Sequence, residues 1–169
     1  DGDQGRVRDL LAPVVAAGYK ALAVTVDSAH YSKRERPLIS RWVPPGRRPT
    51  TVRDSNYRKS ITWELIEKIK GMTDLPFMLK GIATAEDTKI AVDMGVDVIW
   101  ISNHGGRQLD HGAGAIEVVP EVVEAAAGRA DVIVDGGVNR GTDIIKAFAL
   151  GVKCVGLGRL HGWGLSAGG

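Results

Sequence analysis

The chain has 169 residues, 44% hydrophobic and 25% charged, with no low-complexity tract, the composition of one soluble globular domain that can bury a core. No apolar run reaches the roughly 20 residues that span a bilayer, so a membrane-crossing helix is not expected. The net charge of +2 conceals a basic segment, residues 31–60, with nine Lys and Arg against Glu35 and Asp54, so +7 there and −5 elsewhere.

In chain order, "GRVRDLLAPVVAAG" repeats apolar residues at helical spacing and stops at Gly18, with Pro13 marking a kink or a start. "ALAVTV" at 21–26 then predicts a buried strand. Residues 31–60 carry Pro37, Pro44, Pro45, Gly46 and Pro49 and are expected to form a long irregular loop, not a helix or strand. Loops of that length are commonly lids or binding segments. Its aromatics, Tyr31, Trp42 and Tyr57, are not spaced as a stacking platform, so no nucleic-acid partner is expected.

"TWELIEKIKG" reads as the next helix and "PFMLKG" at 76–81 as the second strand. "TAEDTKIAVDMG" opens on Thr84 with Asp87 at capping spacing, and "VDVIWIS" at 96–102 is the third strand. "PEVVEAAAG" starts on Pro120, as suits a first helical turn, before "DVIVDGG" at 131–137. "GTDIIKAFALG" leads to the fifth strand, "KCVGLG" at 153–158. The single Cys154 has no disulfide partner and reads as a small buried hydrophobe in a reducing, cytoplasmic setting.

Alternating strands and helices give an α/β fold, either an open doubly wound sheet or a (β/α)8 barrel. A barrel takes about 250 residues, so on that reading the chain is one partial barrel domain over 1–169, with strands 4 to 8 but without three leading βα units and the last helix. Such an arc leaves an edge for other chain to cover. Polar residues follow each strand: Asp27, Lys80, Ser102 with Asn103 and His104, Asp135, and Arg159. In a barrel those ends share one face, where active sites form. The Gly-Gly turn at 136–137 and Gly158-Arg159 offer bare N–H groups and a guanidinium in the two loops that commonly hold phosphate. They predict a phosphate-bearing ligand.

"SNHGGRQLD", with "TVD" upstream, "LKGI" between, and "DGGVNRGTDIIKAFALG" and "GLGR" downstream, resembles the FMN-dependent α-hydroxy acid oxidase and dehydrogenase family from about residue 6 to the end. The resemblance implies a TIM barrel, FMN as cofactor, a small 2-hydroxy acid as substrate, and no metal. It makes His104 the active-site base, with Asp27 accepting its other ring N–H. Arg107 and Arg34 would hold the substrate carboxylate. Lys80 would stand by the flavin N1 and O2, with Thr25 and Ser102 as flavin hydrogen-bond partners. Asp135, Gly136, Gly137, Val138, Asn139, Gly158 and Arg159 would hold the ribityl and phosphate groups. Both routes for the α-hydrogen, as a proton to His104 or as a hydride to the flavin, need the same imidazole. The resemblance also implies a homotetramer and, through loop 31–60, a peripheral membrane contact in some relatives.

Two departures stand out. Asn139 occupies a position where this family usually carries an arginine, and Arg140 on a tight turn is not expected to replace it. The family's first three strands, with further flavin contacts and two substrate-facing tyrosines, have no counterpart in residues 1–20. Two other readings are a barrel acting on a nucleotide or sugar phosphate and an incomplete, non-catalytic fragment.

Overall fold

The structure, a computed structural model, describes residues 2–30, 35–41 and 61–169. Five strands form one parallel sheet: β1 Leu22–Thr25, β2 Phe77–Ile82, β3 Val98–Ile101, β4 Asp131–Asp135 and β5 Cys154–Gly156. The helices are α1 Gly2–Ala16, α2 Glu35–Ile39, α3 Trp63–Lys70, α4 Ala85–Asp93, α5 Val119–Ala126, α6 Gly141–Ala149 and α7 Arg159–Gly168. None of them is long and apolar enough to cross a membrane.

Strand order decides between the two architectures. A doubly wound sheet reverses direction part-way, so its helices cover both faces. Here the order is β1-β2-β3-β4-β5. Right-handed crossovers that always step the same way put their helices on one side, which is the arrangement of a barrel wall. Burial agrees. Phe77, Leu79, Ile99, Ile101, Val132 and Val134 alternate along β2 to β4 and are sealed under Ile66, Ile69, Val92, Val119, Val122 and Ala147 of the helices. Each such large side chain contributes about 1.5–3 kcal/mol of transfer free energy. The alternate residues, Met78, Lys80, Val98, Trp100 and Ile133, are only half-buried and form the concave face. The fold is thus a partial (β/α)8 barrel of five βα units.

Local chemistry sets the helix starts. Thr62 Oγ1 accepts the N–H of Leu65 at 3.3 Å to cap α3, and Thr84 Oγ1 accepts that of Asp87 at 3.1 Å to cap α4. Pro13 sits within a continuous α1, and its carbonyl accepts the Ala17 N–H at 2.9 Å. At α6 the carboxylate of Asp143 reaches back to accept the N–H groups of Asn139 at 3.0 Å and Arg140 at 2.9 Å.

Those two donors, with Lys146 and Arg140 charges beside them, hold the Asp143 carboxyl below the ordinary aspartate range. A depressed carboxylate stabilises the fold above its unfolded pKa of about 3.9, and that stabilisation is lost as pH falls through the folded value. Asp143→Asn should therefore melt below the parent protein at neutral pH, with the gap closing as the buffer is taken towards about pH 2. A gap of constant width across melts in that series would contradict the assignment.

Three sequence expectations are corrected. Cys154 is exposed, because it lies on the concave face of the edge strand, in register with Ile133, where the described residues lay nothing over it. The helix expected to be missing after the fifth strand is present as α7. Its Gly162, Gly164 and Gly168 lower intrinsic helix propensity, and it buries no residue, so its sequence carries little helical signal. Within the stretch expected to be irregular, residues 35–39 form α2; residues 31–34 and 42–60 lie outside the described residues.

Candidate functional site

The ends of the parallel strands bring their polar residues together. Lys80, from β2, donates through Nζ to Ser102 Oγ at 2.7 Å and lies 3.2 Å from Asp135 Oδ2 at the end of β4. Ser102 donates in turn to Asp135 Oδ1 at 2.7 Å and accepts the backbone N–H of His104 at 3.0 Å. That serine hydroxyl is 33 residues from Asp135 and 22 from Lys80, yet one donor and two acceptors tie three strand ends into one network. The Lys80 ammonium also stands 5.4 Å from the centre of the Trp100 ring, within range of a cation–π contact.

Beyond β3 the chain turns sharply. His104, Gly105 and Gly106 all have positive φ, at 58°, 67° and 69°. Glycine adopts this region freely, whereas a histidine there is uncommon and is held by its surroundings. Part of the holding is an Asn103 side chain that accepts the Gly106 N–H at 3.2 Å. The rest comes from β1: His104 Nδ1 lies 3.0 Å from Asp27 Oδ1, across 77 residues of sequence. A carboxylate only accepts, so the ring donates to it through Nδ1, and in a neutral imidazole with that hydrogen bond Nε2 is the acceptor. Asp27 is largely buried, and its second oxygen, Oδ2, has no partner among the described residues.

Of the residues picked from sequence, Lys80, His104, Arg107, Asp135, Gly136, Gly137, Val138, Asn139, Gly158 and Arg159 line one cavity of about 460 Å³. Ser102 lies buried beside it, Asp27 stands behind His104, and Thr25 pairs with Lys80 at the end of β1. Arg34 lies outside the described residues. Arg159 Nη2 donates to the Gly105 carbonyl at 2.8 Å and so ties the start of α7 to the histidine turn. Asn139 folds its amide back onto its own turn, Nδ2 donating to the Gly137 carbonyl at 3.1 Å. Arg140 is not among the residues lining the cavity, as its place on the turn suggested.

Sequence reading missed Trp100, Leu157, Leu160 and Trp163, which also line the cavity. Trp100 was available from period-two alternation, since it sits two residues before Ser102 and two after Val98 on one strand. Trp163 stands four residues after Arg159, one helical turn, but only once α7 is recognised does that spacing have meaning.

Comparison with known proteins adds to this geometry. A family model described as FMN-dependent dehydrogenase matches residues 1–169. An L-lactate oxidase of Nostoc sp. is 40% identical, over 99% of this chain and 52% of its own length. A peroxisomal (S)-2-hydroxyacid oxidase of Arabidopsis thaliana is 42% identical, over 95% of this chain and 50% of its own. A solved mandelate oxidase superposes with a TM-score of 0.86 at 39% identity, covering 98% of this chain and 50% of that one. The chain spans about half the length of the curated relatives it matches.

Proposed function

The chain belongs to the FMN-dependent dehydrogenase family, and from that premise we propose that it forms the part of such an enzyme that oxidises an L-2-hydroxy acid to the 2-oxo acid. The observation that carries the reading is the His104–Asp27 pair, held at 3.0 Å and opening on a cavity that Arg107 also lines.

The cavity residues suit FMN. Gly136 and Gly137 have positive φ, and a Cβ on Gly137 or Gly158 would meet nothing within 4 Å, so backbone there is open to a phosphate. A Cβ on Gly156 would come within 3.0 Å of Asp135 and 3.5 Å of Trp100, filling space on the concave face that the glycine leaves clear. Arg159 and Lys80 both line the cavity and supply positive charge, in this proposal for the phosphate and for the electron-accepting ring respectively. When bound, FMN supplies the two-electron acceptor.

The protein residues do the rest. Arg107 grips the substrate carboxylate as a bidentate fork, joined in this proposal by Arg34, and so fixes the α-carbon in one orientation. His104 Nε2 takes a proton from the substrate, and Asp27 stabilises the imidazolium that results. The O–H and α C–H bonds break and the carbonyl forms; two protons and two electrons leave the substrate in all, one proton to His104, while the two electrons and the second proton would go to FMN when it is bound. Thr25 and Ser102 are proposed as flavin hydrogen-bond partners, and Asp135, Gly136, Gly137, Val138, Asn139, Gly158 and Arg159 as its ribityl and phosphate contacts. Assembly as a homo-oligomer and a peripheral membrane contact through residues 31–60 belong to the same proposal.

Asn139 bears on affinity. An arginine at this lip of the cavity would add a charge-assisted contact to the phosphate, worth about 1.5–3 kcal/mol. Asn139→Arg should tighten the FMN dissociation constant by roughly tenfold or more, read by quenching of flavin fluorescence. An unchanged constant would mean that the phosphate lies elsewhere.

The function itself is tested by adding FMN to the purified chain and then L-lactate without oxygen, following the flavin absorbance. Binding followed by bleaching supports the proposal for this chain alone. A second reading, that the chain completes its site only with the rest of a barrel, is favoured by the half-buried apolar residues Met78, Val98 and Ile133 on the concave face. Failure to bind FMN would favour it.

A further inference from the structure

The second strand carries an irregularity that neither the family comparison nor the proposed chemistry explains. From Leu79 to Ile99 and from Lys80 to Trp100 the β2–β3 register runs in step, but Ile82, not Gly81, pairs with Ile101. One residue, Gly81, is therefore extra, and its φ of 107° is a conformation that side-chain-bearing residues rarely adopt. The bulge has one plain effect on packing. Without it, strict alternation would aim Ile82 to the same side as Lys80; with it, Ile82 stays in the core at 2% exposure while Lys80 faces the cavity.

A second effect lies across the sheet. A Cβ built on Gly81 would stand 2.6 Å from Asp27 Cβ, 2.8 Å from Asp27 Cγ and 2.8 Å from the Asp27 backbone nitrogen. Carbon atoms do not pack that closely, and the obstacle includes backbone, so it cannot swing aside as the tip of a long side chain would. The bare edge of Gly81 is thus the surface against which Asp27 rests. Asp27 in turn has one oxygen on His104 Nδ1 at 3.0 Å and is fixed just after β1, whose neighbour in the sheet is β2. A displacement of several tenths of an ångström takes such a bond out of range.

We propose that Gly81 is a positioning residue for the Asp27–His104 pair: a bulged residue without a side chain is what lets the carboxylate stand against β2 and still reach the imidazole. The kinetic consequence rests on the function proposed above; the structural consequence does not.

Three readouts test it. The first is a melting cycle on the chain, comparing Gly81→Ala in the parent background with Gly81→Ala in Asp27→Gly. The cost of positive φ and the close approach to the backbone nitrogen at position 27 are common to both backgrounds and cancel, leaving the contact between the new methyl and the Asp27 side chain. The drop in Tm should be clearly larger in the parent background. Equal drops overturn the proposal. Should Gly81→Ala fail to fold, folding of the double variant supports the proposal, and failure of the double variant while Asp27→Gly folds overturns it.

The second readout is the downfield ring N–H signal of His104 in histidine-labelled protein, assigned by its absence in a His104 variant. It should disappear in Gly81→Ala and persist in Gly71→Ala, a control at a helix end remote from the pair in sequence. A retained signal in Gly81→Ala sinks the idea. The third, in the FMN-loaded protein, is a fall of at least tenfold in kcat with KM and FMN affinity unchanged; a loss confined to KM or to FMN binding overturns the positioning role. If the parent protein never reduces flavin, the function proposed for this chain alone fails while the first two readouts still decide the role of Gly81.

Discussion

His104→Asn is expected to lower the rate of flavin reduction by a 2-hydroxy acid by about 10²- to 10⁴-fold, the range that a positioned general base contributes. Asparagine is the informative replacement for two reasons drawn from the turn. It tolerates the left-handed backbone at φ 58° better than most residues, so Gly105, Gly106 and Arg107 keep their places. Its side-chain nitrogen can also take the position of Nδ1 and go on donating to Asp27, so the carboxylate is not left buried without a donor. What disappears is Nε2 alone. Stopped-flow reduction at saturating substrate measures the loss, and FMN affinity and KM should stay near the parent values. A variant within threefold of the parent would remove His104 from the role of base.

Arg107→Lys is expected to lower kcat/KM by roughly tenfold to 150-fold, the equivalent of losing about 1.5–3 kcal/mol of charge-assisted hydrogen bonding. The charge is retained, so simple attraction of the substrate anion survives. The planar fork is not retained, and with it would go the pair of parallel bonds proposed to fix the α-carbon relative to His104. The loss should therefore appear in both kcat and KM, with kcat reporting orientation. FMN binding provides the control, since Arg107 is assigned to the substrate and Arg159 to the phosphate. If affinity for FMN falls while kcat/KM for the acid is preserved, the two arginines have been assigned the wrong way round.

Taken together, the two variants separate chemistry from grip. They also probe opposite kinds of structural support. His104 is held by a residue 77 positions earlier and by Ser102 two positions before it. Arg107 follows from the tight turn that the three positive-φ residues create.

Much of this was legible in the sequence. Alternation of apolar runs with helical periods follows from side-chain chemistry repeated at fixed spacing, and all five strands lie within or close to the stretches where those runs occur. Thr84 marks a helix start because capping is a contact across three residues. "SNHGGRQ" identified the family because it is a contiguous segment whose glycines and charged groups serve one turn. Polar residues at strand ends could be collected into one face because parallel strands all point the same way.

The tertiary structure decided what depends on residues far apart in sequence. Strand order distinguished a barrel wall from a doubly wound sheet, because both architectures share the same local alternation. Exposure of Cys154 was set by its place on an edge strand, a property of neighbours and not of the apolar run around it. α7 forms despite glycines that leave little helical signal in its residues, and its place after β5 is given by the structure. The bulge at Gly81 and its contact with Asp27 depend on a one-residue shift in strand register, which side-chain periodicity cannot specify where a glycine carries no side chain to give its face away. The sequence by itself determined which chemical groups the protein carries and the turn that presents them; only packing decided which of those groups meet, because meeting is fixed by register and strand order across tens of residues.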